Sequence, residues 1–387
     1  MYQDSIYDSF QCIAEQCTMT CCKGWAIRVE QESYDNWQNH EETKYLCEYT
    51  THGGQDDEKG FQMKQNPCQA CVLLDENGLC EIVKRHGEHA LSETCARFPR
   101  KQNEIDVIGK DEADSILVKE YSLSGACPSV LELIHQKPEQ CRMQLPPHCL
   151  EHSDFPMEYQ VRNALIGLLW RREFSLEDRL MLCFSLLHEC LECEWEEEVY
   201  ACIEVYENAE NLQENLKLWQ KTIFDEKEAL IEVCQTLFDV TQFYKEEPAY
   251  QPYLHDIAAF VEELDGKEAV WNELLQEWHE WNEHFAKDTI FYENVLVSEI
   301  YGDCVSDDLE YLTEHFQSIA MEFIMTRVSV FIKEKLAGRK LRWEEVRDYL
   351  SLYIRMIGHN TDGMAEYWEE NFEDPVLEME YFFLILH

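Results

Sequence analysis

Basic residues are scarce in this chain: 32 Lys and Arg face 78 Asp and Glu among 387 residues, a formal net charge of −46 at pH 7. That balance excludes nucleic acid as an expected partner, because lysine and arginine make the phosphate contacts. It allows a basic or lysine-bearing protein partner, beside the plainer reading of a well-solvated acidic surface. Long apolar runs are also missing. None reaches the roughly 20 residues of a membrane-crossing helix, so no membrane span is expected. The opening MYQDSIYDSF has neither a basic nor an apolar segment; with no secretory leader, the expected location is cytoplasmic. A G-x-G-x-x-G turn is absent too. The glycines of THGGQDDEKG sit in polar sequence with no amphipathic run behind them, which excludes the dinucleotide-type cofactor turn.

What is plentiful is cysteine, with 18 residues. Structural disulfides are rare in a reducing compartment, so so many thiols need another use, and metal is the leading one. CIAEQCTMTCCKGW, residues 12–25, places Cys21 beside Cys22. A disulfide between neighbours closes a small strained ring; the pair is left to bond elsewhere, stay free or bind metal. Cys71, Cys80, Cys95 and Cys127 follow, and NPCQAC gives Cys68 and Cys71 a C-x-x-C spacing. Thiolates are soft ligands suited to zinc or iron–sulfur clusters, and an ion supplies folding energy to a loop-rich segment. The adjacent pair favours a cluster or two sites over one simple zinc knot. The rival reading is buried free thiols, and it is preferred for Cys183, Cys190, Cys193, Cys202, Cys234 and Cys304, which sit at apolar spacing in helical sequence.

The chain divides by character. Residues 1–130 hold ten of the cysteines with 12 basic and 23 acidic residues; the remainder holds 20 basic and 55 acidic. SLEDRLMLCFSLLHECLECEWEEEV opens with Ser175 and Asp178 at capping-box spacing and sets Leu180, Cys183, Leu187 and Cys190 on one face. DEKEALIEVCQTLFDVTQFY repeats this with Leu230, Val233, Leu237 and Val240. Long acidic amphipathic helices with short connections predict a bundle. The expected fold is therefore mainly α: a small, loop-rich, cysteine metal-binding domain over 1–134, a proline-bearing linker over 135–156, and an acidic α-helical domain over 157–387.

FQCIAEQCTMTCCKGWAI, CVLLDENGLCEI, GEHALSETCARFPR and EYSLSGACPSVLELI together resemble the flagellin lysine-N-methylase family, within a wider group of cysteine-rich zinc- or iron-chelating proteins. FYENVLVSEIYGD and YLSLYIRMIGHN extend the resemblance more weakly over most of the chain. It implies methyl transfer from S-adenosylmethionine to lysine ε-amines of flagellin, with a [4Fe-4S] cluster, or zinc, as metal centre. Carried over by position, the ligand candidates are Cys12, Cys17, Cys21, Cys22, Cys71, Cys80, Cys95 and Cys127. A four-iron cluster needs about four thiolates; Cys17 with Cys21 or Cys22, and Cys80 with Cys95, are the preferred core.

Such chemistry asks for a neutral lysine amine and for aromatic or carboxylate groups to hold a cationic methyl donor. Trp25 follows the cysteine pair and is either a cation-binding face or a core anchor. Arg97 and Arg100 flank Phe98-Pro99 beside Cys95; they bind a cofactor or substrate carboxylate, or offset the charge of a thiolate cluster. Glu120 and Tyr121 could orient or deprotonate an amine, or simply end a strand. Arg355 and His359 lie four apart and share a helix face; His359 is a catalytic candidate or a satisfied buried histidine. Two non-methylating readings stand beside this one: a zinc-stabilised binding module or chaperone for a basic protein, and an iron–sulfur redox or sensor protein.

Overall fold

The computed structural model describes residues 2–54, 57–107, 116–143, 155–219, 225–264, 267–285 and 289–387. In the amino-terminal part, alternating apolar residues in short runs such as Phe61-Gln62-Met63 and Ile105-Asp106-Val107 produce strands rather than plain loops. The strands are β1 (Tyr2–Gln3), β2 (Arg28–Val29), β3 (Thr50–Gly54), β4 (Asp57–Met63), β5 (Arg100–Val107) and β6 (Ile116–Leu123). They form two three-stranded sheets, ordered β1-β6-β5 and β2-β4-β3. β1 runs parallel to β6, with Tyr2 opposite Glu120. β5 and β6 pair antiparallel from Arg100 opposite Leu123 to Val107 opposite Ile116. Among the described residues this part also carries four short α-helices, α1 (Gln31–Asn39), α2 (Glu81–His86), α3 (Glu93–Arg97) and α4 (Pro128–Gln136), besides several 3-10 turns.

The remainder is helical, as the apolar periodicity predicts. It runs α5 (Met157–Leu169), α6 (Leu176–Leu191), α7 (Glu196–Glu207), α8 (Ala209–Trp219), α9 (Glu226–Gln242), α10 (Gln251–Leu264), α11 (Glu268–Phe285), α12 (Thr289–Asp303), α13 (Leu309–Ala337), α14 (Trp343–Tyr353), α15 (Thr361–Phe372) and α16 (Met379–Leu386). Ser175 caps α6, accepting the Asp178 N–H at 3.1 Å, and Asp308 caps α13 through the N–H groups of Glu310 and Tyr311. The expected inward faces are inward: Leu180, Cys183, Leu187 and Cys190 on α6, and Leu230, Val233, Leu237 and Val240 on α9, are all buried.

Two details depart from the periodic reading. The run through HECLECEW breaks at Cys193, between α6 and α7, and Cys193 and Cys202 are only half-buried, unlike Cys183, Cys190, Cys234 and Cys304. After Tyr353 the chain widens into a π-helical turn, Ile354–Gly358. Of the expected linker, residues 144–154 lie outside the described residues. Its first part is ordered, with Cys141 and Met143 buried in the same large core as Leu123, Val130 and Ile134. A second, smaller core gathers Ile27, Val29, Trp37, Leu46, Phe61, Met63, Cys71, Leu73 and Ile82.

Candidate active site at the junction of the two cores

Trp25 packs against both cores, and the groups around it define the site. The cysteine loop is held onto the helices by Arg355 from the π-helical turn. Its guanidinium donates to the carbonyls of Met19 (2.8 Å), Thr20 (3.1 Å) and Ala126 (2.9 Å), and it lies 4.9 Å from the Trp25 ring centre. Ser351 donates to the same Ala126 carbonyl. Thr18 bridges Arg347 and Asp348 of α14, and the Tyr250 hydroxyl donates to the Gly24 carbonyl at 2.5 Å. A buried guanidinium with planar, fixed donors suits several carbonyls at once better than a flexible ammonium does.

His359 meets the same indole, ring centres 4.6 Å apart. It keeps more than a third of its surface exposed while protein atoms crowd it, so it lines a recess. That crowding, followed by the nearby Lys101 ammonium, lowers its pKa to about 4, leaving a neutral imidazole at pH 7. Lys101, reaching in from β5, lies 3.0 Å from Glu299 and 2.5 Å from Asp303 of α12. Burial lifts Glu299 to about 7, against the pull of Lys101, while its Oε1 accepts the Gly125 N–H at 2.6 Å. Burial pushes Asp303 up as well, but Lys101 and the hydrogen bond with Glu299 together bring its pKa below the usual value. Glu322 of α13 is sealed in behind and pushed well up by burial, then by Glu299 and Asp303. Glycines make this closeness possible. A Cβ on Gly125 would lie 2.7 Å from Ile354 Cδ1 and 3.0 Å from Glu299 Oε1, and one on Gly358 would overlap Glu322 Oε1.

The eight candidate ligand thiols do not gather in one place. Cys71 belongs to the small core, with Cys22, Cys80 and Cys95 packed on it, and Cys71 N–H donates to the Cys22 carbonyl. Burial pushes Cys71 up to about 11 and Cys95 up to about 12, and the neighbouring thiols add to both. Cys21 hydrogen-bonds to Cys22 and, with Thr20 and Arg355, draws that thiol down to about 7 against burial. Cys12, Cys17 and Cys127 form the other set: Cys17 donates to the Met19 carbonyl, and burial raises Cys127 to about 11. Among the described residues, no three His, Cys, Asp or Glu side chains stand close enough to hold a metal ion. Cys22, Cys71, Cys80 and Cys95 therefore fit a soft ion in donor chemistry but not in spacing. Cys68 of the C-x-x-C pair is exposed while Cys71 is buried.

The other expected residues fall around or away from the recess. Arg97 is exposed and paired with Glu93 at 2.7 Å. Arg100 is also exposed, 5.0 Å from the Phe10 ring centre. Tyr121 packs edge-on to Tyr7. Glu120 is sealed inside, bound by both terminal nitrogens of Arg162 at 2.7 and 2.9 Å and by the Tyr159 hydroxyl at 2.5 Å. Lys101, Glu299, Asp303 and Glu322 were not singled out by sequence reasoning. A signal existed: Glu299 and Glu322 interrupt otherwise apolar helical runs, VLVSEIYG and IAMEFIM, and a charge there is costly unless it has a use.

Residues 162–385 match the family described as the FliB lysine N-methylase C-terminal domain. The lysine-N-methylase of Salmonella typhimurium strain LT2 is 29% identical over 134 residues, 34% of this chain and 31% of that protein; that of Salmonella choleraesuis strain SC-B67 matches to the same extent. The flagellar biosynthetic protein FliU of Salmonella muenchen is 28% identical over 141 residues, 34% of this chain and 73% of that protein. The match thus spans under a third of the length of the two lysine-N-methylases. No solved structure matches the chain.

Proposed function

We propose that this chain, which belongs to the FliB lysine N-methylase family, is a protein-lysine N-methyltransferase that uses S-adenosylmethionine, with flagellin as substrate. One observation carries the reading. The matched segment, 162–385, supplies Glu299, Asp303, Glu322, Arg355 and His359, the helical wall of the recess. In the reaction a neutral lysine nitrogen attacks the sulfonium methyl carbon, the S–C bond breaks with its electron pair left on sulfur, and the new N-methylammonium sheds a proton. Asp303, ionised and partly open to the recess, attracts the incoming cation. Glu299, with a pKa of about 7, is matched to accept a proton near neutrality. His359 stays uncharged and does not repel the cation. Trp25 carries the Arg355 guanidinium and anchors the wall. Cys22, Cys71, Cys80 and Cys95 have the donor chemistry for the [4Fe-4S] cluster or zinc that the resemblance implies but not the spacing, and no step of the transfer is routed through such a group.

The test is incubation of the full chain with purified flagellin and methyl-labelled S-adenosylmethionine. Label is expected in flagellin ε-N-methyl-lysine, reduced at least tenfold by Glu299→Gln. Unlabelled flagellin, with the chain folded and loaded with iron or zinc, overturns the assignment. The packing of Cys22, Cys80 and Cys95 onto an apolar core favours a second reading, a zinc-stabilised binding module for a basic protein. Colourless, zinc-loaded protein that binds flagellin without methylating it would support that one.

A further inference from the structure

Cys190, Cys193 and Cys202 belong to neither set of amino-terminal thiols and to no wall of the recess. α6 ends at Leu191 and α7 begins at Glu196, so Cys193 stands in the connection and Cys202 within α7. Their sulfurs are 3.8 Å apart, in contact, and a disulfide needs about 2.05 Å. Cys193 also donates to the Glu189 carbonyl at 3.2 Å, which fixes its side chain toward the hairpin. Both thiols are half-buried, within reach of small reagents, whereas Cys190 beside them is 1% exposed.

We propose that Cys193 and Cys202 are a modification site, a dithiol that closes to a reversible disulfide across the α6–α7 hairpin on meeting a hydroperoxide. Burial and a hydrogen bond to Cys193 push the Cys202 thiol up to about 11; Cys193, in the connection rather than within a helix, is assigned the first step. Its sulfur attacks the peroxide O–O bond, giving a sulfenic acid and, from hydrogen peroxide, one water. The Cys202 sulfur then attacks the Cys193 sulfur, the S–O bond breaks, and a second water leaves with the Cys202 proton. In sum, two thiols and one hydrogen peroxide give one disulfide and two waters; the sulfurs lose the two electrons that the peroxide gains. Eight residues lie between the two cysteines, so the bond closes a short loop and pins α7 to the end of α6.

The reduced full chain is titrated with hydrogen peroxide, free thiols are trapped with N-ethylmaleimide, and peptides are mapped by mass spectrometry. The expected product joins the Cys193 and Cys202 peptides, loses two alkylatable thiols, and reverts in dithiothreitol. The thermal midpoint of the oxidised form rises by about 2–4 °C. Cys202→Ser abolishes the cross-link and leaves a dimedone-reactive Cys193. Full alkylation of both thiols after peroxide treatment, or a Cys193 bonded to any other cysteine, overturns the proposal; a mere packing contact would behave in the first way.

Discussion

Removal of the Glu120 carboxylate leaves the Arg162 guanidinium buried without its counter-ion, since both side chains are fully sealed. Breaking such a pair costs about 3–5 kcal/mol. Glu120→Ala is expected to lower the unfolding free energy read from urea denaturation by that amount, while the folded fraction keeps whatever methyl transfer the native chain shows; lost turnover at unchanged stability would restore a catalytic role. Asp4 presents the opposite case. It is buried, its Oδ1 accepts the Ile6 N–H at 3.0 Å, and among the described residues its Oδ2 meets no hydrogen-bond partner. Burial lifts its pKa from 3.8 to about 6. The folded state therefore binds the proton more tightly than the unfolded chain, and its contribution to stability is complete below about 4 and lost as pH rises through about 6. Two pKa units correspond to about 3 kcal/mol. Asp4→Asn is expected to gain on the native chain across that window, by up to about 2–3 kcal/mol at pH 7. A difference that stays flat from pH 4 to 7 refutes the account. Neither residue is legible in sequence as what it is. A glutamate in the middle of β6 acquires its meaning from an arginine 42 positions later, and no local pattern reports that.

At the scale of elements, helices were the most legible part, because one buried stripe per helix is written in the 3.6-residue period. The π-helical turn at Ile354–Gly358 was not, because hydrogen-bond register leaves no apolar signature. The pairing of Arg355 with His359 on one face did survive the wider turn, as both converge on Trp25. Strands of two residues, such as β2, fall below any periodic signal, and β4 and β5 carry only two apolar side chains apiece, at one end of DEKGFQM and RKQNEIDV, so most of the cysteine-rich part reads as loops. Arg355→Lys tests how the turn secures the cysteine loop. A lysine ammonium cannot serve three carbonyls in the guanidinium plane, so local opening should become cheaper by about 1.5–3 kcal/mol. Cys17, Cys21 and Cys22 are then expected to alkylate roughly ten- to a hundredfold faster, with Cys183 and Cys234 unaffected. Equal rates in variant and native chain would show that the loop is held by other contacts.

For the whole molecule, two facts visible in sequence act at long range: the concentration of thiols near the amino terminus and the excess of 46 negative charges. The thiol concentration led to the expectation of a cysteine metal-binding domain over 1–134; part of that segment has its own small core, while Phe10, Leu123, Cys127 and Val130 join the large one. It did not predict two thiol sets, because convergence in space depends on how Ala126 and Met19 are drawn to one arginine. The charge predicted an acidic surface but concealed the interior, where Lys101 gathers Glu299 and Asp303. These two layers respond differently to salt. At 0.01 M ionic strength charges interact over about 30 Å, and at 1 M over about 3 Å. With 78 acidic against 32 basic residues, repulsive pairs outnumber attractive ones across the surface, so screening favours the folded state. Surface pairs such as Arg339 with Glu345 weaken in the same salt, but each contributes only about 0–1 kcal/mol. The Lys101 pairs are partly shielded from solvent and should hold. The thermal midpoint is therefore expected to rise steadily between 0.01 and 0.5 M sodium chloride, and uncharged sucrose at matched osmolality serves as the control. A flat or falling midpoint would mean that attractive pairs, not net repulsion, govern the surface of this acidic chain.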